Sequence, residues 1–330
     1  MIKKRNTTLR DLAAAAGVSI GTVSRALKNQ PGMSEQTRTS VLLQAQMLGY
    51  DASKLRLEKP RRMLFLTHAT HAALSDTPAY VRILQGVEQV CRQQEVPLGL
   101  LLLGEGDSIR VCIRRCDPDV LLLAGFFDEN MLAEIKRTEL RMVLADHFIT
   151  DRFCVHDDHI SGALQATRHL FEQGCQRVAM IGGPLAMYPF VLRVRGYRQA
   201  LYDARRLADP DLEASVDITR PFAQAVETAM HKLLDLPEPP DGVVACSDAV
   251  ALCAMQVCIR RGLRVPEDIA FVGYDDAVAS ASHSPALSSI RVNKEQLGRH
   301  AAQQLISGYA SQGEELLPVE LIVRASSLRI

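Results

Sequence analysis

Residues 17–34, GVSIGTVSRALKNQPGMS, join two short amphipathic patterns through a glycine and a serine. Upstream, Thr8 stands where a helix needs its N-cap, and Leu9, Leu12, Ala13 and Ala16 follow at i, i+3, i+4, i+7 spacing. Gly17 offers the positive φ on which such a helix ends. Ser19 then caps a second helix, Ile20 to Leu27, with Val23, Ala26 and Leu27 on its inner face. A turn at NQPG follows, Ser34 caps again, and Thr37 to Leu48 forms a third helix with Val41, Ala45 and Leu48 inward. Two short helices across a tight glycine-containing turn, braced by a third, predict an all-α helix-turn-helix head over residues 1–49.

The charge is divided in the same way. The 330 residues carry a formal net charge of zero, yet residues 1–62 hold twelve Lys and Arg against four Asp and Glu. That leaves +8 on the head and linker and −8 on the remainder. A basic end on an acidic body predicts a polyanionic partner for the head, because phosphate attraction supplies most non-specific nucleic-acid binding. Polar Asn-Thr-Thr follows the opening Met1-Ile2-Lys3-Lys4-Arg5, so no signal peptide is expected. No window approaches the ~20 apolar residues that cross a bilayer, and a cytoplasmic protein without membrane contact is the expectation. The eight cysteines contain no CxxC pair. Cys112 and Cys116 lack further ligands at metal-site spacing, so the reading is small buried apolar groups and no metal.

After Tyr50 comes DASKLRLEKPRR, charged and proline-containing, a linker or conditional helix over about 50–61. From Met63 onward apolar runs alternate with amphipathic segments: MLFLTHA, PLGLLLL, DVLLLAGFF and RMVLADH, then RVAMIGG, GVVACSD and IAFVGYDD. Such alternation predicts parallel sheets covered by helices, divided between two α/β lobes.

Enzyme signatures are missing. There is no Walker sequence, no G-x-S-x-G and no H-E-x-x-H, and IGGP (181–184) lacks the third glycine of a dinucleotide fingerprint. In the adjacent acids Asp157-Asp158 and Asp275-Asp276 one member is expected to cap or bind and the other to be solvated. Asp275 follows a predicted strand, as do Ser247 in ACSD and Asp146 in LADH. Polar groups at the carboxyl ends of parallel strands suit a polyol or sugar better than a nucleophile–base pair.

The head, TLRDLAAAAGVSIGTVSRALKNQPGMSEQTRTSVLLQAQMLGY, resembles the DNA-binding domain of the lactose-repressor/galactose-repressor (LacI/GalR) family along its whole length. Downstream, EQGCQRVAMIGGP, RVRGYRQAL, DGVVACSDAVAL, GLRVPEDIAFVGYDD and SPALSSIRVNKEQLGRHAAQQL follow that family's order. The resemblance implies a two-lobed core like that of periplasmic sugar-binding proteins, over 62–330. Its first lobe would hold about 62–159 and 291–318, and its second about 160–290 and 319–330. It implies a sequence-specific repressor of carbohydrate catabolism genes, not an enzyme and without a cofactor, acting as a homodimer on near-palindromic operator DNA. The chain stops at SSLRI without an appended heptad helix, so a dimer is expected rather than a tetramer. A small sugar or sugar derivative would be its effector; the alternative is a nucleoside, nucleobase or other non-sugar metabolite.

Position by position, the resemblance makes Ile20, Gly21 and Arg25 the base readers. Arg25 suits guanine, whose O6 and N7 its fork can meet together. Thr8, Ser19, Thr22, Ser24 and Asn29 become phosphate contacts. For the effector it points to Tyr80, Asp146, Arg193 and Asp275, with Ser247 where relatives often carry Asn. The hinge departs from the family pattern: Ala52, Ser53, Arg56 and Lys59 replace its usual Pro, Asn, Ala and minor-groove Leu. Only Leu55 or Leu57 could then serve as the wedge, and weaker operator bending is expected.

Overall fold

The computed structural model describes residues 7–27, 32–50, 59–68, 79–104, 106–307 and 312–329. The head folds as α1 (Leu9–Ala16), α2 (Ile20–Leu27) and α3 (Glu35–Met47) around Leu12, Val23, Ala26, Val41 and Ala45. Thr8 and Asp11 form a reciprocal capping box at the start of α1, and Gly17 ends it at φ +65°. One expectation fails here. Leu48 does not point inward: it is the C-cap of α3 and 42% exposed. Ser34 accepts the Thr37 N–H and starts the helix at Glu35, while Gly49 at φ +59° ends its run, so the last inward turn falls at Ala45.

In chain order the strands are β1 (Met63–His68), β2 (Leu98–Leu103), β3 (Val120–Ala124), β4 (Arg141–Ala145), β5 (Phe153–Asp157) and β6 (Val178–Gly182). They continue with β7 (Glu213–Ser215), β8 (Gly242–Ala245), β9 (Ala270–Asp275), β10 (Ser288–Arg291), β11 (Gly313–Leu317) and β12 (Glu320–Ile322). The helices between them are α4 (Ala79–Gln93), α5 (Ile109–Cys116), α6 (Glu129–Lys136), α7 (His159–Glu172) and α8 (Tyr188–Asp203). Then come α9 (Phe222–Leu234), α10 (Asp248–Arg260), α11 (Val278–Ser282) and α12 (Lys294–Ser307).

Two six-stranded sheets result, ordered β2-β1-β3-β4-β5-β11 and β7-β6-β8-β9-β10-β12. All pairings are parallel except β10 with β12. β1, β3, β5, β6 and β8 are buried at every position, as strands covered on both faces must be. Each sheet carries an apolar cluster on either side.

The chain passes between the sheets three times: from β5 into α7, from β10 into α12, and from β11 into β12. α12 returns to the first lobe and lies directly on α4. A Cβ at Gly86 would run into the Glu295 carbonyl, and one at Gly298 into that of Ile83. These glycines therefore permit the approach that delivers Lys294, the first residue of α12, to the carboxyl edge of the first sheet. The cysteines are only partly as expected. Cys91, Cys154, Cys175, Cys246 and Cys258 are buried, but Cys112, Cys116 and Cys253 sit half-exposed on the outer helices α5 and α10.

Candidate functional site

On the head, α2 presents its first turn outward. Ser19 caps it by accepting the Thr22 N–H at 3.1 Å and sharing a hydrogen bond of 2.8 Å with the Thr22 hydroxyl. Ile20 is 45% exposed although it is apolar, and Gly21 and Arg25 are exposed on the same side. Arg25 Nε leans back to the Gly21 carbonyl at 3.4 Å, which leaves its terminal nitrogens facing outward. Ser24 is half-buried, and the Thr8 hydroxyl donates to Asp11 at 2.7 Å as part of the capping box. Asn29, Leu55 and Leu57 lie outside the described residues.

The second site forms where the carboxyl ends of the two sheets face each other. Asp146 follows β4 at φ +56°, and Asp275 ends β9 at φ +110° with Asp276 next at +52°. Positive φ at consecutive non-glycine residues is strained backbone, tolerated by Asp through its short polar side chain. Asp248, fully buried at the start of α10, holds this turn. Its carboxylate accepts the Ala277 N–H and the Ser280 hydroxyl, both at 2.7 Å, and the Ser289 hydroxyl at 2.5 Å. Ser289 in turn accepts the Asp276 N–H at 3.0 Å.

Arg193, on α8, lies buried over the Tyr274 ring with its guanidinium carbon 3.7 Å from the centroid. Its Nη1 donates to the Cys246 carbonyl, and Nη2 stands 4.0 Å from Asp275 Oδ1. Lys294 is 6% exposed and donates to Asp146 Oδ2 and, at 2.7 Å, to Asp157 Oδ2. His159 bridges the lobes, with Nε2 3.6 Å from Asp146 Oδ1 and Nδ1 3.3 Å from the Tyr274 hydroxyl. Burial raises the Asp146 carboxyl, but Lys294 and His159 outweigh it and hold Asp146 well below the usual carboxylate range. Burial lowers His159 to about 3, so it is neutral at pH 7. Burial also lifts Asp275 to about 7 against the pull of Arg193 and Lys294.

Tyr80 packs on the first lobe's core with its hydroxyl close beside Gly125. Burial and then the Asp146 charge push that hydroxyl far above its ordinary range. Ser247 caps α10, accepting the Val250 N–H at 3.3 Å. Beside this cluster a crevice of about 700 Å³ opens in the first lobe, lined by His68, Asp107, Ser108, Phe126, Asp128 and Glu134 among others. Phe126 meets the His147 ring edge-on, next to Asp146.

The expectation of one solvated acid in each adjacent pair is corrected. Asp158 caps α7, but Asp157 is fully buried against Lys294. Asp276 is bound by Arg291 at 2.7 Å and Arg324 at 2.6 Å. Distant chain segments bring these cations in, and pair spacing along the sequence cannot register them. Lys294, Asp157, His159 and Asp248 escaped the sequence reading for the same reason. Asp146, Asp157 and His159 also offer three ligand atoms within 4.8 Å of one another, but the Lys294 ammonium already binds both carboxylates.

A basic three-helix head on two α/β lobes that face each other over a polar cleft defines a DNA-binding regulator with a periplasmic-binding-protein-like core. Residues 8–53 match the bacterial regulatory proteins of the lacI family, and residues 167–327 match the periplasmic binding protein-like domain. The chain is 32% identical over 341 residues to the HTH-type transcriptional repressor CytR of Escherichia coli (strain K12), covering 98% of each. It belongs to the lacI family and is a DNA-binding transcriptional repressor, not an enzyme. Among solved structures it is similar to a transcriptional regulator CelR–cellobiose complex: TM-score 0.73, 29% identity, 97% of this chain and 100% of that one. The lac repressor dimer bound to operator and the anti-inducer ONPF shares the fold, with TM-score 0.70, 24% identity, and 98% and 100% covered. Among the described residues no helix is long and apolar enough to cross a membrane.

Proposed function

We propose that the protein is a homodimeric repressor of carbohydrate catabolism genes, released from or seated on a near-palindromic operator by a small sugar or sugar derivative held between its lobes. Ile20, Gly21 and Arg25 read bases, while Ser19, Thr22, Ser24 and Thr8 set the register on phosphates. The effector lies among Asp146, Arg193, Asp275, Tyr80 and Ser247.

One observation carries the effector reading. Asp146 Oδ1 on the first lobe and Arg193 Nε on the second are buried without a hydrogen-bond partner. Buried polar atoms are normally satisfied, and a ligand hydroxyl can donate to the one and accept from the other. Such a ligand would tie the lobes together and shift their relative angle by its differential affinity for the two arrangements. The CelR complex, with cellobiose, supports a sugar at this place. The dimer reading draws support from the edge strand β2, whose Leu100 and Leu102 are 59% and 52% exposed. An uncovered apolar sheet edge is a liability that pairing with a second copy removes.

The test is operator selection from random DNA with the full-length protein, followed by mobility-shift titrations against sugars, sugar derivatives and nucleosides. A sugar that changes operator affinity supports the reading. A response to nucleosides alone, or to no small molecule, overturns it.

A further inference from the structure

The positive groups of the inter-lobe site are already committed. Lys294 is enclosed by Asp146 and Asp157, and Arg193 by the Cys246 carbonyl, Asp275 and the Tyr274 and Phe190 rings. His159, neutral at pH 7, adds no charge. Two cations thus face three carboxyls.

The helix starts at the same edge are likewise occupied. Asp158 caps α7, and Ser247 caps α10 with Asp248 in its first turn. Asp128 caps α6 and Asp107 stands beside the start of α5; both line the crevice together with Glu134. At the start of α8, Pro189 has no N–H, and the Phe190 and Val191 N–H groups return to the Met187 carbonyl. The crevice has no Lys or Arg in its described lining, and residues 69–78 contain neither in their sequence.

Anion sites offer uncommitted guanidinium forks or open helix N-termini, and these elements hold neither. We infer that the site selects an uncharged, polyhydroxylated effector and rejects the phosphorylated form of the same compound. This rests on the effector reading above and goes further by fixing the charge class of the ligand.

Calorimetric titration of the full-length protein with matched pairs tests it: ribose and ribose 5-phosphate, glucose and glucose 6-phosphate, cellobiose and its phosphate ester, uridine and uridine 5′-monophosphate. In whichever pair binds, the neutral member is expected to bind at least about tenfold tighter, since a buried charge without a partner is costly. Its affinity should change less than about twofold between low and moderate salt, because no ion pair is screened. Replacing both acids around the lysine (Asp146→Asn with Asp157→Asn) frees its charge and should narrow the preference at least about tenfold. A phosphate ester that binds wild type as well as or better than its neutral partner overturns the inference while leaving the effector site standing. Absence of binding by every member of every pair overturns the effector reading, and the inference with it. The wild-type pairs and the salt series decide the matter even if the double variant does not fold.

Discussion

Replacing Lys294 by Met removes the one ammonium buried between Asp146 and Asp157, while keeping a side chain of similar length. At 2.7 Å the Lys294–Asp157 attraction alone is about 6 kcal/mol at an effective dielectric constant near 20. The measured loss should be smaller, because the orphaned pair has a cheaper route than remaining doubly charged. One carboxyl can take up a proton and share it with the other. For a carboxyl that ionises near 3.9 in the unfolded chain, holding that proton at pH 7 costs about 4 kcal/mol. This sets the ceiling on the destabilisation. The sign follows from linkage: the variant's folded carboxyl is raised above its unfolded value, so the variant loses stability as pH rises from about 4 toward 7. The gap from wild type should be about 4 kcal/mol at pH 7 and about 1.5 kcal/mol at pH 5, a slope near 1.4 kcal/mol per pH unit. The chain has no tryptophan, so urea unfolding of both proteins is best followed by far-ultraviolet circular dichroism. A gap below about 1 kcal/mol at pH 7, or one of equal size at pH 5 and 7, would refute a buried, proton-linked ion cluster.

Three further outcomes are expected. Asp275 is raised by burial to about 7, so its contribution weakens the fold as pH rises from about 4 to 7; Asp275→Asn should gain on wild type across that window in thermal melts. His159 is lowered by burial to about 3, so its contribution is lost as pH falls from about 6.5 toward 3, and His159→Gln should flatten that limb of the stability profile. Asp248→Ala strands the Ala277 N–H and the Ser280 and Ser289 hydroxyls, costing about 2–4 kcal/mol; effector affinity should fall with it, whereas an equally destabilising core truncation such as Val257→Ala should spare that affinity. Arg25→Ala should weaken operator binding by about 1–3 kcal/mol more than binding to random DNA, and equal losses on both would reduce Arg25 to a phosphate contact.

The helix-turn-helix was legible because its determinants are local. Caps at Thr8, Ser19 and Ser34, the glycine at 17 and the apolar spacing all act within a few residues. Leu48 was misread because the apolar pattern carries on past the point where Gly49 turns the backbone. The strand–helix alternation was legible for a similar reason: parallel strands buried on both faces need continuous apolar runs, and those runs stand out from any neighbour. Asp146 and Asp275 could be found because strand ends are visible in the sequence; Arg193 and Tyr80 entered through family resemblance.

Lys294 shows where that kind of reading stops. In VNKEQL it looks like an ordinary solvated lysine at a helix start, and lysine is almost never buried unless paired. Its partners are 137 and 148 residues away, and they meet it only because Gly86 and Gly298 let α12 lie against α4. The sequence by itself determined a basic DNA-reading head, a linker and an α/β body, since each follows from composition and short-range periodicity. The tertiary structure alone decided which charges neutralise one another in the cleft. Charge pairing depends on distances of a few ångströms between segments far apart in the chain, and no local pattern encodes them.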